Sequence, residues 1–178
     1  MKTNIFGGQK IAIRQLSKKD LINAKQFCDF INSFIEEDAQ IMMNKKFMLE
    51  EEKKWLKEKL ESIKKKKAVL LVAEHNNLVV GTTEIELGIW RQNHVGKLGI
   101  TIKKNYRGMG LGSYLMKEII KLAKKKLKPK PKTIRLNVFS TNKPAIELYK
   151  KCGFKIVARI QNQIKYKGKL VDEIIMIK

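Results

Sequence analysis

Gly99–Ser113 reads GITIKKNYRGMGLGS: an apolar, strand-like run at Ile100, Thr101 and Ile102, a short polar loop, then Gly108, Gly110 and Gly112. Leu111, Leu115, Ile119 and Leu122 follow at three- and four-residue spacing, with Lys117, Lys121 and Lys125 on the other side, which predicts an amphipathic helix starting at the last glycines. A strand that feeds a glycine-rich turn into a helix N-terminus is a place to hold phosphate. The first-turn N–H groups have no partner within the helix, and the macrodipole favours negative charge there. Glycine lets the backbone approach oxygens with no Cβ in the way.

Two phosphate motifs are excluded at once. The nucleotide P-loop ends Gly-Lys-Ser/Thr, whereas Gly112 runs straight into Ser113. The dinucleotide pattern G-x-G-x-x-G has Ser113 where its last glycine belongs. What remains is Arg107-Gly108-Met109-Gly110-Leu111-Gly112, an R-x-x-G-x-G, which by itself also fits a plain strand–helix turn.

Upstream, Ile11 and Ile13 alternate with Ala12 and Arg14 as a first short strand. Ser17 with Asp20 three residues on has the form of a capping box, and Leu21, Ala24, Phe27, Ile31 and Phe34 make the stripe of a helix behind it. Glu36-Glu37-Asp38 is an acidic run that reads either as a solvated helix end or as an attractor for a cationic acceptor. A second helix is predicted from about Leu49 to Lys66, buried through Trp55, Leu56, Leu60 and Ile63. Its glutamates crowd the start and its lysines the end, as the helix dipole prefers. Ala68–Ala73 is a buried-strand run, turned at Asn76-Asn77 into a return strand over Leu78–Trp90. That strand puts Thr83, Ile85, Leu87 and Ile89 on one face and Thr82, Glu84 and Glu86 on the other. Val95–Ile102 is the strand that enters the glycine loop, and Gly99 within it predicts a bulge or a close backbone approach. Thr133–Phe139 is a fifth strand, Pro144–Cys152 a short helix closed by Gly153, and Phe154–Ile164 with Leu170–Ile177 a final hairpin around Lys167-Gly168-Lys169.

The 178 residues suit one domain, residues 1–178, large enough to bury a core unaided. Cys28 and Cys152 show neither metal-ligand nor disulfide spacing, so no metal is expected. MKTNIFGGQK lacks the apolar core of a signal peptide, and no apolar run reaches membrane-spanning length. A cytoplasmic protein without a membrane partner is the expectation. The formal net charge of +22 has two readings: a polyanion partner, or lysine coating the surface. The lysines are spread over every predicted helix, and arginine occurs only at Arg14, Arg91, Arg107, Arg135 and Arg159, which favours the second reading.

A second informative stretch is Asn142-Lys143-Pro144-Ala145-Ile146-Glu147-Leu148-Tyr149-Lys150-Lys151-Cys152-Gly153-Phe154. It matches N-x-x-A-x-x-L-Y-x-x-x-G-F at every defined position, and it follows the R-x-x-G-x-G at a fitting distance. With both signatures in this order, the chain from about Leu70 to its end resembles the GNAT superfamily of N-acetyltransferases. The resemblance extends to the branches that act on ribosomal-protein N-termini, amino acids or polyamines. It implies an α/β (α+β) fold: one mixed, mostly antiparallel twisted sheet of about seven strands, splayed between the fourth and fifth, with about four flanking helices. It also implies an acyltransferase that uses acetyl-coenzyme A and no metal, passing acetyl to a primary amine by direct attack. The acceptor could be a protein N-terminus or a small-molecule α-amine, with polyamine or lysine acetylation as the alternative. Association with nucleic acid or the ribosome, on the strength of the charge, stays open, as does the choice between monomer and homodimer.

Residue roles follow from the same resemblance. Ile100, Thr101 and Ile102 present backbone groups to the pantetheine arm; Gly108, Met109, Gly110, Leu111, Gly112 and Ser113 wrap the pyrophosphate, assisted by Arg107. Asn142 bonds the cofactor and caps the helix behind it, and Tyr149 protonates the departing thiolate. Periodicity alone puts Tyr149 on the apolar side with Ala145, Leu148 and Cys152, as a core aromatic would sit. Two places where relatives carry a catalytic glutamate hold Gly96 and Asn137 here, so Glu84, beside Glu86, is the substitute base. At pH 7 an α-amine of pKa about 7.7–8.0 is neutral in roughly one molecule in ten, against fewer than ~1 in 1,000 for a lysine amine. A site poor in base loses least with an α-amine.

Overall fold

The computed structural model describes residues Met1–Lys178. Strands β1 (Lys2–Phe6), β2 (Gln9–Gln15), β3 (Ala68–His75), β4 (Leu78–Leu87), β5 (Val95–Ile102), β6 (Thr133–Phe139), β7 (Lys155–Tyr166) and β8 (Lys169–Ile177) form one sheet in the order β1-β2-β3-β4-β5-β6-β8-β7. Helices α1 (Ala24–Glu36), α2 (Leu49–Lys64), α3 (Leu111–Lys126) and α4 (Lys143–Lys151) flank it. Every neighbouring pair is antiparallel except β5 with β6. This is the expected mixed α+β sheet, with eight strands instead of about seven. The additional strand is β1, which turns into β2 at Gly7-Gly8, both with positive φ. Its Phe6 packs edge-on to Tyr114 of α3, with ring centroids 5.4 Å apart.

Alternation along the central strands divides the core into two layers. Val69, Leu71 and Ala73 of β3 and Ile85 and Leu87 of β4 pack with Leu111, Leu115, Met116 and Ile119 of α3. Leu70, Val72 and Val79 pack on the opposite face with Phe27, Phe30 and Phe34 of α1 and Leu56 of α2. Ile146, Tyr149 and Cys152 bring α4 into the α3 layer.

Four local expectations change. The helix expected from Ser17 begins as a separate 3₁₀ turn, Lys18–Leu21, and α1 starts only at Ala24. Asp20 still accepts from the Ser17 N–H at 2.7 Å, and Arg14 holds it at 2.6 and 2.9 Å, so the capping acid is also a buried ion-pair partner. β4 stops at Leu87, because beyond it the chain turns through Trp90–Gln92, leaving Ile89 64 % and Trp90 84 % exposed. No bulge occurs at Gly99; the β4–β5 register runs unbroken from Gly81↔Ile102 to Leu87↔Gly96. Nor is Gly99 a close approach: it lies opposite Glu84, whose Cγ would be 3.7 Å from an added Cβ, an ordinary contact. Finally, the buried stripe of α2 is Glu52, Leu56 and Lys59, while Trp55, Leu60 and Ile63 are half-buried at its flank.

Candidate active site

β5 and β6 are in register only at Val95↔Thr133, Gly96↔Ile134 and Lys97↔Arg135. Past Lys97 they part, since β6 continues its pairing on the other side with β8 from Arg135↔Ile177 to Phe139↔Glu173. The gap opens into a cleft of about 1350 Å³, more than the ~300–1,000 Å³ of an ordinary small-molecule pocket and enough for two substrates. Its lining includes Ile100, Thr101, Ile102, Arg107, Gly108, Gly110, Gly112, Ser113, Asn142, Tyr149 and Glu84. Of the residues expected at the site, only Met109 and Leu111 lie outside that lining. The Met109 side chain lies against Gly7, with Cβ to added Cβ at 3.1 Å, and the Leu111 side chain is fully buried. These two can serve a ligand through their backbones alone.

Hydrogen-bond phase decides which groups face the gap. Gly88 N–H donates to Val95 C=O and Lys103 N–H to Val80 C=O, each at 2.9 Å. Antiparallel bonding alternates along a ladder, so Lys97, Gly99 and Thr101 turn their backbone groups to β4, while Leu98, Ile100 and Ile102 turn theirs to the gap. The Ile102 C=O accepts from Arg107 Nε at 2.7 Å. Ile100 N–H and C=O and the Ile102 N–H are therefore what an extended ligand meets. Thr101, expected to share that work, differs: its Oγ1 lies 2.9 Å from Thr82 Oγ1 on the cleft wall, and its backbone belongs to the β4 ladder.

At the end of the gap, Gly108 and Gly110 have φ of +77° and +89°, with no atom within 4 Å of an added Cβ. The left-handed backbone favours glycine, and the open space beside it is room for a ligand. The first bond of α3 is Tyr114 N–H to Gly110 C=O at 3.2 Å, which leaves the amides of Leu111, Gly112 and Ser113 without a helical partner. Arg107 stands beside them, its guanidinium paired with Glu37 at the end of α1. The acidic run is an exposed helix end whose acids also find basic partners: Glu36 pairs with Lys46 at 2.7 Å, Glu37 with Arg107, and Asp38 with Lys167 at 3.4 Å.

Tyr149 is 8 % exposed, with its ring 6.3 Å from that of Phe154. Burial first, and the nearby Cys152 second, push its phenol up to about 12. Asn142 caps α4, its side chain accepting from Ala145 N–H at 3.3 Å. Glu84 is 2.7 Å from Lys59 Nζ, which also reaches Glu86 at 2.5 Å. Burial lowers the Lys59 pKa, but the two carboxylates more than offset it and the net shift is upward. The acid proposed as base is therefore half of an ion pair. An acid cannot stand at Gly96, where a Cβ would lie 2.7 Å from Ile85 Cγ2. Asn137 donates to Glu173 at 2.8 Å, a buried acid of β8 that also faces the cleft.

Glu52 was not among the expected residues. It lines the cleft from the first turn of α2, is 6 % exposed, and burial alone pushes its carboxyl up to about 7. Its signal was present, since Glu52 and Lys59 lie four and three residues from Leu56, on the inward stripe. No helix of the chain is long and apolar enough to cross a membrane.

The sequence model of the acetyltransferase (GNAT) family matches residues 33–154. The L-amino acid N-acetyltransferase AaaT of Escherichia coli is 35% identical over 82 residues, which cover 46% of this chain and 49% of that protein. An N-alpha-acetyltransferase of Sulfurisphaera tokodaii is 33% identical over 109 residues, 55% of this chain and 63% of that one. The matched part thus spans about half to less than two thirds of these relatives. The crystal structure of an acetyltransferase of the GNAT family from Streptococcus pneumoniae superposes with a TM-score of 0.82 at 27% identity, covering 94% of this chain and 98% of that one.

Proposed function

The chain belongs to the acetyltransferase (GNAT) family, and from that premise we propose that it transfers acetyl from acetyl-coenzyme A to the α-amino group of an amino acid or peptide. The observation that carries this reading is the parted β5–β6 pair, with unbonded α3 amides at one end and Tyr149 facing the same cleft. The amides of Gly108–Ser113 and Arg107 take the diphosphate of the cosubstrate, and Asn142 adds a hydrogen bond. The pantetheine arm lies along Ile100 and Ile102 like an added strand. The amine attacks the thioester carbonyl while both substrates are bound, and a gap-facing N–H of β5 polarises that carbonyl. A nitrogen–carbon bond forms, the carbon–sulfur bond breaks, and one proton moves overall from nitrogen to sulfur.

Burial changes how Tyr149 serves the leaving group. Against a thiol of about 8.5, full transfer from a phenol at about 12 is uphill by roughly 5 kcal/mol. Tyr149 therefore acts by donating a hydrogen bond to the sulfur as charge builds there. In the overall balance the sulfur's proton comes from the attacking nitrogen. Both curated relatives carry names that describe acetylation of amino acids or N-terminal α-amines, in line with the α-amine assignment.

Release of the coenzyme A thiol tests this reading. The assay uses acetyl-coenzyme A with amino acid amides, peptides with free N-termini, polyamines, and lysine peptides blocked at the N-terminus. Turnover of α-amines is expected to lead; activity confined to polyamines or blocked lysine peptides would contradict it. A second expectation concerns Glu37, whose carboxylate pairs with Arg107 and so competes with a phosphate for it. Half-exposed pairs of this kind contribute about 0.2–1 kcal/mol. Glu37→Gln should tighten coenzyme A binding by up to about fivefold in isothermal titration. Unchanged or weaker binding would remove Arg107 from the phosphate site.

A further inference from the structure

Six acids line the cleft, and five of them already have a partner. Glu37 pairs with Arg107, Asp38 with Lys167, Glu84 with Lys59 and Glu147 with Lys150, while Glu173 accepts from Asn137. Glu52 alone has none, although it is the most deeply buried of the six. Around it the α1–α2 side of the cleft is hydrocarbon: Phe27, Ile31, Met42, Phe47, Trp55 and Leu70. A lone carboxyl in such a wall is costly unless a cation or a proton joins it.

We propose that this wall seats the acceptor, with Glu52 receiving its ammonium and taking one proton, and the apolar surface taking an apolar side chain. The inference rests on the N-acetyltransferase reading and names the substrate class of that site: α-amines with a bulky apolar side chain. Glu52 carboxylate and R–NH₃⁺ become the carboxylic acid and R–NH₂; the neutral amine attacks, and the acid returns its proton to water between turnovers. Before the two meet, a carboxyl near 7 and an α-amine near 7.7–8.0 differ by only about one unit, whereas a lysine amine differs by more than about three. The surrounding charges leave Glu52 this role. From α1 the titratable neighbour is Cys28, whose thiol is pushed up by burial and then by Glu52 itself. Lys45 and Lys46 of the preceding loop turn outward to Glu51 and Glu36, and Glu84 of β4 is held by Lys59.

The test compares L-leucinamide with glycinamide as acceptors for wild type and Glu52→Gln, following kcat/KM from pH 5.5 to 9, with acetyl-coenzyme A affinity measured by titration. Wild type should prefer L-leucinamide by about 10-fold or more, the gain from burying one aliphatic side chain. Its kcat/KM should fall on an acidic limb near pH 7. Glu52→Gln should lose about 100-fold with both amines, and its acidic limb should move up to the amine's own pKa of about 7.7–8.0, with cosubstrate affinity unchanged. Folding of the variant is checked by melting. An acid raised above its unfolded value costs stability as pH climbs through about 4.5–7, so the glutamine protein should melt about 7–14 °C higher than wild type at pH 8 and no higher at pH 4.5. An active wild type with no preference for L-leucinamide, or a Glu52→Gln protein within threefold of wild type that keeps the limb where wild type has it, would overturn this inference alone. A wild type that releases no coenzyme A with any amine would overturn the acetyltransferase reading together with it.

Discussion

Gly110→Val is expected to lower affinity for acetyl-coenzyme A about 100-fold or more, the largest loss from any single substitution in the loop. Two effects combine. Gly110 has a φ of +89°, where a β-branched residue is strained by about 1–3 kcal/mol, so the loop would rotate to escape. The Cβ would also stand in the open space beside the α3 amides, where the diphosphate oxygens are proposed to lie. No protein atom is within 4 Å of that Cβ, so the cost to the fold is the backbone strain alone, a fall of roughly 2–12 °C in melting temperature. Isothermal titration and thermal melting on one sample separate the two. Near-normal affinity would mean that the diphosphate is held elsewhere. Gly112 offers the contrast, because its Cβ would lie 3.0 Å from Leu148 Cδ2 and 3.4 Å from Ile102 Cδ1, so substitution there disturbs the packing of α3 on α4.

Tyr149→Phe should lower kcat by about 10- to 100-fold while acetyl-coenzyme A affinity stays within about threefold. Removing one preorganised donor to a developing oxyanion costs about 10²–10³ in kcat, and a donor to the more diffuse charge on sulfur costs less. Phenylalanine keeps the ring against Phe154 and removes only the hydroxyl, so the fold should hold. The variant protein should melt at or slightly above the wild-type temperature. Pre-steady-state release of coenzyme A locates the loss in the chemical step. Equal loss of binding and rate, or no loss, would return Tyr149 to the status of a core aromatic.

The glycine loop and the helix after β6 were readable because their chemistry is local: a left-handed glycine, an unpartnered amide and a capping asparagine need only neighbouring residues. β1 carries a turn signal at Gly7-Gly8, but its sequence KTNIF has no alternating apolar pattern to mark a strand. Gly99 predicts either a bulge or a close approach, and the unbroken β4–β5 register with an ordinary 3.7 Å contact shows neither. What the chain hid were partnerships across long separations. Glu37 finds Arg107 seventy positions away, and Lys59 finds Glu84 and Glu86 across the α2–sheet contact. The run Glu36–Asp38 is exposed, as a solvated helix end should be, but its basic partners lie outside its own helix and are not legible locally. Glu84 therefore reads differently once Lys59 is beside it, and Glu52 emerges only when all six cleft acids are compared.

The central claim is that the cleft between β5 and β6 carries a thioester past Ile100 to Tyr149. A crystal structure with a non-hydrolysable acetyl-coenzyme A analogue measures this directly. The diphosphate should lie on the amides of Gly108–Ser113, the pantetheine arm should bond Ile100, and the sulfur should come within about 3.5 Å of the Tyr149 hydroxyl. A cosubstrate bound outside the β5–β6 gap, or a phenol turned into packed hydrocarbon away from the sulfur, would contradict the account.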